Sequence, residues 1–236
     1  MVSHMKNIVT LTSNTKLEVK PTDKVCFITV NTYQSSGMSL GSSPLTDAAL
    51  VYDIYDKRDY KTFLLLDSTQ SDYVKWLLYF TSIELQDLVL YYSGHGTQVA
   101  ESKVVFDYKT QTNIPNEYRE KDGRDECLIF KGGKYMVDNE ITNIIKNNKC
   151  KNVLMLFDCC KSGTLLDYVP QNTTIITGCL ESGVSYQTEQ YGLFTYWLNK
   201  LQTTELTNLV PEIIKKLSWT GQKPTIEGTS RQYLYL

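Results

Sequence analysis

The chain has 236 residues, of which 42% are hydrophobic and 21% are charged, as in one ordinary globular domain or two small ones. Its 24 basic and 26 acidic side chains leave a net charge of −2, which excludes the broad basic field of a nucleic-acid-binding protein. No stretch approaches the roughly 20 consecutive apolar residues of a membrane-spanning helix. We therefore expect neither a nucleic acid nor a membrane as a partner.

Short apolar runs alternate with longer amphipathic stretches along the chain. In chain order, the pattern predicts strands at residues 24–30, 62–66, 87–92, 152–157, 173–178 and 232–236. It predicts helices between them at residues 46–58, 71–83, 138–146, 192–201 and 205–217. Strands that alternate with helices of about ten residues or more indicate an α/β fold, with a mostly parallel sheet covered on both faces.

A long polar stretch at residues 97–126 interrupts this alternation. A connection of that length inside a compact domain is usually functional or mobile, so we predict a mobile insertion there. Residues 1–4 are predicted to be a remnant of an expression vector, and residues 5–236 to form a single domain.

The six cysteines show neither paired CxxC spacing nor a zinc-binding pattern. Four of them lie within apolar runs, where a cysteine is usually a small buried apolar side chain. Such a set of cysteines is more typical of a protein in a reducing compartment than of a secreted protein held by disulfides, so a cytoplasmic location is predicted.

Two predicted strands end in residues with reactive side chains. The sequence SGHG follows strand 87–92 and contains His95, the only histidine apart from His4. The sequence DCCKSG follows strand 152–157 and contains Cys159 and Cys160. Functional sites of open α/β sheets form at the carboxyl ends of their strands, and an imidazole activates a neighbouring thiol. The two motifs therefore predict a cysteine–histidine dyad across neighbouring strand ends.

Two other motifs of reactive or phosphate-binding sites do not account for this chain. The phosphate-binding pattern G-x-x-x-x-G-K-[ST] is absent. A G-x-S-x-G match occurs at residues 37–41, but six residues separate it from the predicted strand 24–30, whereas a nucleophile elbow directly follows its strand. A phosphatase loop needs an arginine shortly after its cysteine, whereas Leu165 and Leu166 occupy those positions.

The segments YYSGHGTQ and LMLFDCCKSGT resemble the histidine and cysteine motifs of caspase-like cysteine peptidases, and among these the metacaspases most of all. The resemblance implies a caspase-like fold. It also implies that His95 is the general acid and base and that Cys160, rather than Cys159, is the nucleophile. Backbone N–H groups of Gly96 and Cys160 would then stabilise the oxyanion.

Further segments extend the resemblance from about residue 24 to the C-terminus. They are DGRDE at residues 122–126, VDNEI at residues 137–141, TGC at residues 177–179 and GLFT at residues 192–195.

The resemblance also implies an acidic substrate pocket. Asp158 stands where caspases that cleave after aspartate carry glutamine, while Asp47 and Ser93 match pocket residues of metacaspases. An acidic pocket attracts Arg or Lys as the P1 residue, which precedes the scissile bond. The chain departs from the metacaspase pattern at Pro44, where cysteine is usual, and at Thr46, where asparagine is usual.

A calcium site is implied by the same resemblance, because many metacaspases depend on Ca²⁺. The matching residues are Asp125, Asp138 and Asp167, and Asn139 stands where a further aspartate is usual. Carboxylate and amide oxygens are the ligands that Ca²⁺ prefers.

These features predict a Ca²⁺-activated, metacaspase-like endopeptidase that cleaves peptides and proteins after Arg or Lys. The resemblance implies a monomer. Basic residues within 97–126 make that segment a candidate for autoprocessing. Two alternatives stay open: another caspase-clan peptidase with a different P1 preference, such as a paracaspase-like or legumain-like enzyme, and a non-catalytic caspase-like binding module.

Overall fold

A computed structural model describes residues 5–34, 37–163, 165–228 and 230–236. The suspected vector remnant, residues 1–4, lies outside these ranges. The strands of the described residues are β1 (Val9–Thr10), β2 (Lys24–Val30), β3 (Tyr60–Leu66), β4 (Asp87–Ser93), β5 (Gly96–Ala100), β6 (Val104–Asp107), β7 (Thr112–Pro115), β8 (Arg124–Ile129), β9 (Tyr135–Val137), β10 (Val153–Asp158), β11 (Thr173–Thr177) and β12 (Thr225–Glu227). The helices are α1 (Ser43–Tyr55), α2 (Gln70–Thr81), α3 (Asp138–Ile145), α4 (Leu193–Lys200) and α5 (Leu206–Lys216).

Seven of these strands form the central sheet, in the order β1-β3-β2-β4-β10-β11-β12. All neighbouring pairs are parallel except β11 and β12, which are antiparallel. The predicted α/β class with a mostly parallel sheet is therefore confirmed. The inner strands read as continuous apolar runs because helices cover both of their faces.

Each face of the sheet packs against its own set of helices. Val25 and Phe27 of β2 point to the core shared with α2 and α3. Cys26 and Ile28, which alternate with them, point to the core shared with α1, α4 and α5. This alternation follows from the two-residue period of a strand, and it makes β2 apolar at nearly every position.

Helix α1 begins three residues before its predicted start. Pro44 lies in its first turn, where proline is favoured because its missing N–H would have no partner inside the helix. The helix ends at Tyr55, and residues 56–58 tighten into a 3₁₀ turn. Asp59 then adopts a left-handed conformation with φ of 61°, which stops the helix before β3.

The predicted insertion at residues 97–126 is not one long loop. It contains β6 and β7, which form an antiparallel hairpin, most of β5, and the first half of β8. Strand β8 pairs with β5 on one side and β9 on the other, in a second sheet. These strands are polar on their solvent face and therefore lack the apolar run by which the central strands were recognised. The longest part without a strand is residues 116–123.

The predicted C-terminal strand at residues 232–236 is wrong, because that segment forms no strand and the last strand is β12. Its apolar side chains instead cover the amino end of the central sheet, where Leu234 is fully buried. The carbonyl of Leu234 accepts a hydrogen bond of 2.9 Å from the Tyr55 hydroxyl. Nearby, Arg231 forms a fully buried ion pair with Asp87. The apolar pattern therefore reflects tertiary packing rather than strand pairing.

None of the helices in the described ranges is long and apolar enough to span a membrane.

Candidate active site

The two reactive motifs meet at the carboxyl edge of the central sheet. Strands β4 and β10 are adjacent and parallel, and their register places Asp158 opposite Ser93. The SGHG and DCCKSG segments consequently leave the sheet side by side. Between them lies a cleft of about 150 Å³, whose walls include five residues predicted from the sequence: Asp47, Ser93, His95, Asp158 and Cys160.

The two adjacent cysteines differ in their surroundings. All six cysteines are described and are free thiols, and Cys160 is the one that is not buried. Burial raises the pKa of the Cys159 thiol well above its ordinary value, which disfavours a thiolate there. The Cys160 Sγ lies on the cleft wall, 3.8 Å from the carbonyl oxygen of Ser185. Both cysteines line the cleft, but Cys159 is buried and Cys160 is partly exposed, so the arrangement favours Cys160 as the thiol that a molecule in the cleft meets.

Two residues from the loop after β2 hold His95. Its Nε2 lies 2.6 Å from the carbonyl oxygen of Met38. Because a carbonyl can only accept, the hydrogen-bond network assigns the proton to Nε2 and leaves the lone pair of a neutral imidazole on Nδ1. The Tyr33 ring packs against the imidazole at a centroid distance of 4.7 Å, and its hydroxyl accepts from the His95 backbone N–H at 3.0 Å.

Gly96 lies directly against the backbone of the cysteine motif. A Cβ on Gly96 would be 2.1 Å from the carbonyl oxygen of Cys160 and 3.1 Å from the Sγ of Cys159. Only glycine permits this approach of two backbones. The predicted oxyanion residues Gly96 and Cys160 are thus in contact.

One end of the cleft is an acidic pocket. Asp47 of α1 is almost completely buried; its Oδ2 accepts from the Ser93 hydroxyl at 2.9 Å and its Oδ1 from the Gly192 N–H at 2.7 Å. Asp158 is also buried, and its Oδ2 accepts from the backbone N–H and the hydroxyl of Thr195 at 3.2 and 2.7 Å. The Ser185 hydroxyl donates to the other oxygen of Asp158 at 2.5 Å.

The two carboxylates converge on Gly192. A Cβ at this position would lie 2.3 Å from Oδ2 of Asp158 and 3.1 Å from Oδ2 of Asp47, so glycine keeps the space between them open. Burial raises the pKa of both carboxyls, and the neighbouring charge of Asp158 raises that of Asp47 further. A cation that enters this space would restore the charged form of both groups.

Several residues that shape the cleft were not predicted as site residues. Tyr33 and Met38 contact His95, and Ser185 and Thr195 donate hydrogen bonds to Asp158. Gly192 lies against both carboxylates, where any side chain would collide with them. The GLFT segment gave a weak signal for Gly192 and Thr195. The loop after β2 carries no recognisable pattern, because Met38 acts through its backbone carbonyl, which every residue has.

An acidic cluster lies where β8 meets the start of α3. Single carboxylate oxygens of Glu120, Glu126 and Asp138 all lie within 4.8 Å of one another. Burial and the charge of Asp167 raise the pKa of Asp138 to about 9, while burial and Asp167 raise that of Glu120 to about 8. Three buried oxygens have no hydrogen-bond partner among the described residues: Asp138 Oδ2, Asn139 Oδ1 and Asp167 Oδ2.

These orphaned oxygens fit a hard cation, because Ca²⁺ binds several carboxylate and amide oxygens at once. The structure brings the predicted ligands Asp138 and Asp167 into this cluster. The third predicted ligand, Asp125, is adjacent, but both of its oxygens already accept hydrogen bonds: Oδ1 from the Asn139 side chain at 3.0 Å and Oδ2 from the Ser102 N–H at 3.2 Å. Glu120 and Glu126, which sequence reasoning missed, complete the cluster.

The fold and the cleft define an α/β protein that presents a cysteine and a histidine in one cleft at the carboxyl edge of a parallel sheet. The sequence profile of the caspase domain, peptidase family C14, matches residues 23–235. The chain therefore belongs to the family of caspase-like cysteine peptidases.

Comparison of structures agrees with this assignment. The crystal structure of a protein from Geobacter sulfurreducens superposes with a TM-score of 0.66 over 88% of this chain and 94% of that chain, at 17% sequence identity. At this identity the likeness shows the fold alone. No curated protein sequence matches the chain.

Proposed function

We propose that this caspase-family chain is a metacaspase-like endopeptidase that cleaves peptide bonds after Arg or Lys. One observation carries the proposal: two buried carboxylates, Asp47 and Asp158, line the same cleft as Cys160. A buried pair of acids is unfavourable unless something offsets its charge. A guanidinium or ammonium group from the substrate offsets it, and an acidic P1 side chain would be repelled.

The chemistry follows from the arrangement around the cleft. The Cys160 thiol transfers its proton to Nδ1 of His95, and the sulfur attacks the scissile carbonyl. The tetrahedral oxyanion accepts hydrogen bonds from backbone N–H groups of Gly96 and Cys160, each worth about 3–4 kcal/mol. His95 then gives the proton to the leaving amine, and a thioester remains on Cys160. Water hydrolyses the thioester with His95 as the base and restores the thiol.

The Met38 carbonyl and Tyr33 keep His95 ready for this transfer. The carbonyl holds the proton on Nε2 and stabilises the imidazolium that forms when Nδ1 takes a second proton. The Tyr33 ring and hydroxyl fix the plane and the backbone of the histidine. Met38 therefore takes the role of the third group that orients the base in a catalytic triad.

We propose Ca²⁺ as the activating ion, held by Asp138, Asp167 and Glu120, with Glu126 and the Asn139 carbonyl oxygen completing the ligand set. When bound, the ion supplies charge neutralisation and a link between segments distant in sequence, rather than a reacting group. Asp167 lies seven positions after Cys160, and Asp138 begins α3. A bound ion that fixes Asp138 and Asp167 would therefore restrict the motion of the loop that carries Cys160.

The segment 116–123 is the proposed site of autoprocessing. It has no strand structure, and Arg119 and Lys121 are exposed on either side of Glu120. A protease cleaves exposed segments that lack regular structure most readily. Because Glu120 belongs to the acidic cluster, binding of Ca²⁺ would alter how these basic residues are presented.

We propose that the chain is a monomer, as the resemblance implies, and that it is located in the cytoplasm. The two edges of the sheet are β1, with two residues, and β12, with three. Short edge strands offer few unpaired backbone groups to a second sheet. The six free thiols suit a reducing compartment.

The test is cleavage of fluorogenic peptides that differ only in the P1 residue, which is Arg, Lys or Asp. Each peptide is assayed in about 1 mM Ca²⁺, a concentration that fills weak Ca²⁺ sites, and again in an excess of chelator. The proposal requires activity on Arg and Lys that is lost in Cys160→Ala. The matched control is Cys159→Ala, which removes the neighbouring buried thiol and leaves the partly exposed thiol of Cys160 in place. Cleavage after Asp would favour another caspase-clan specificity, and no cleavage under any condition would favour a binding module.

A further inference from the structure

A second, larger cavity of about 340 Å³ lies on the other side of His95 from Cys160. It is formed by the residues that follow β2 and β3, among them Tyr33 and Asp67, and by the turn at Lys131–Gly133 that follows β8. The strand order β3-β2-β4-β10 therefore places the cavity, His95 and Cys160 in a row along the edge of the sheet.

The cavity and the catalytic cleft share walls. The Tyr33 ring packs on the imidazole of His95 and also lines the cavity. Met38 binds Nε2 of His95 through its carbonyl, while its side chain, 42% exposed, lines the cavity. A chain that passes over His95 from the cleft would consequently enter the cavity next.

The direction of a bound substrate follows from the chemistry of the dyad. If the P1 side chain enters the acidic pocket, the scissile carbonyl lies at Cys160, and His95 must reach the leaving amine to protonate it. The residues after the scissile bond, called primed residues, therefore leave on the His95 side. This step rests on the function proposed above.

The backbone around the cavity is held in uncommon conformations. Tyr33 and Asp67 have φ angles of 54° and 46°, in the left-handed region that non-glycine residues seldom adopt. The Asp67 carboxylate connects the two strand ends, because Oδ1 accepts from the Thr32 N–H at 2.6 Å and Oδ2 from the Thr32 hydroxyl at 2.8 Å. Residues kept in such conformations cluster at ligand-binding sites.

The lining indicates what the cavity binds. Its apolar surface comes from the Tyr33 ring and the Met38 side chain, and the glycines at 132 and 133 leave the opposite wall without side chains. Asp67 is already hydrogen-bonded, whereas Lys131 is exposed at the rim and forms no ion pair with any described residue. An apolar side chain suits the interior, and an acidic neighbour suits the rim.

We propose that this cavity is a primed-side specificity site. It takes a large apolar side chain from the segment that follows the scissile bond, and Lys131 favours an acidic residue beside it.

The test uses internally quenched peptides with identical residues up to P1, in which P1′, P2′ and P3′ are varied one at a time among Gly, Leu, Phe, Glu and Lys. A coumarin amide with the same residues up to P1 has no primed residues and is the reference. We expect kcat/KM, relative to the coumarin amide, to rise at least tenfold when one primed position changes from Gly to Leu or Phe. In Lys131→Glu the preference for Glu over Lys at the adjacent position should reverse.

A binding measurement separates this inference from the proposed function. Labelled peptides that span P2 to P3′ are titrated into Cys160→Ala and followed by fluorescence anisotropy, with peptides ending at P1 as controls. Tighter binding of the apolar primed peptides supports the proposed role of the cavity even if the wild-type protein cleaves none of the substrates. Cleavage of the coumarin amide with equal rates and affinities for every primed sequence would overturn the inference and leave the proposed function standing. If no substrate is cleaved but the apolar primed peptides bind tightly, the proposed function fails and the inference about the cavity stands.

Discussion

Neutralising the acidic pocket one carboxylate at a time gives the sharpest test of the proposed specificity. Asp47→Asn and Asp158→Asn change charge but hardly change shape. In Asp47→Asn, the amide oxygen can keep the hydrogen bond from the Gly192 N–H, while the amide group donates to a rotated Ser93 hydroxyl. In Asp158→Asn, the oxygen can keep both bonds from Thr195. Both variants should therefore fold.

The expected loss of activity follows from the burial of the pair. Removing one partner of a buried, hydrogen-bonded charge pair costs about 2–5 kcal/mol. Two carboxylates share the substrate cation here, so each single variant should lose about 2 kcal/mol, roughly a 30-fold fall in kcat/KM for an Arg substrate. The double variant should lose roughly 1,000-fold, if the two losses add.

The stability of the same variants should change in the opposite direction. The folded pKa of both carboxyls is raised by burial, so their contribution to stability is fully present below the ordinary pKa of about 4 and is lost as pH rises through the raised values. An amide does not titrate. The melting temperature of Asp47→Asn should therefore match that of wild type at acidic pH and exceed it increasingly towards pH 8.

Fluorogenic assays with Arg and Asp peptides and melting curves from about pH 4 to pH 8 measure both effects. In wild type, kcat/KM for Arg should rise with pH as the pocket ionises, and this dependence should flatten in the variants. Full Arg activity in Asp47→Asn, with no gain in stability at pH 8, would show that the pair does not form the P1 pocket.

Three further outcomes are expected. Cys160→Ala should lose all peptidase activity and all labelling by a thiol-directed peptide inhibitor, whereas Cys159→Ala should keep both; labelling that follows Cys159 would reverse the assignment. Gly192→Ala places a Cβ 2.3 Å from Asp158 Oδ2 and should lower kcat/KM for Arg at least tenfold with an unchanged circular dichroism spectrum; unchanged kinetics would mean that P1 does not enter between the carboxylates. Ca²⁺ at about 100 times its dissociation constant should stabilise wild type by roughly 2.7 kcal/mol, a rise in melting temperature of about 5–10 °C that Asp138→Asn abolishes; an equal shift in the variant would place the ion elsewhere.

The sequence alone was sufficient to predict the fold class and the two reactive residues, His95 and Cys160. Runs of apolar residues predicted five of the six parallel strands, β2, β3, β4, β10 and β11, within a residue or two of their ends, because the side chains of these strands are buried on both faces. His95 and Cys160 were recognisable because each follows such a strand, and parallel neighbours deliver their carboxyl ends to one edge. The strands within 97–126 were missed, since they are short and half exposed.

Tertiary structure alone decided what surrounds the reactive pair. The Met38 carbonyl, the open space at Gly192 and the joining of Glu120 to Asp138 depend on loops that meet across long stretches of chain. Backbone groups and glycines have no side chain that a sequence pattern could record. Sequence determines which chemistry a strand end carries, whereas only packing in three dimensions determines which carbonyl holds an imidazole and which carboxylates share one pocket.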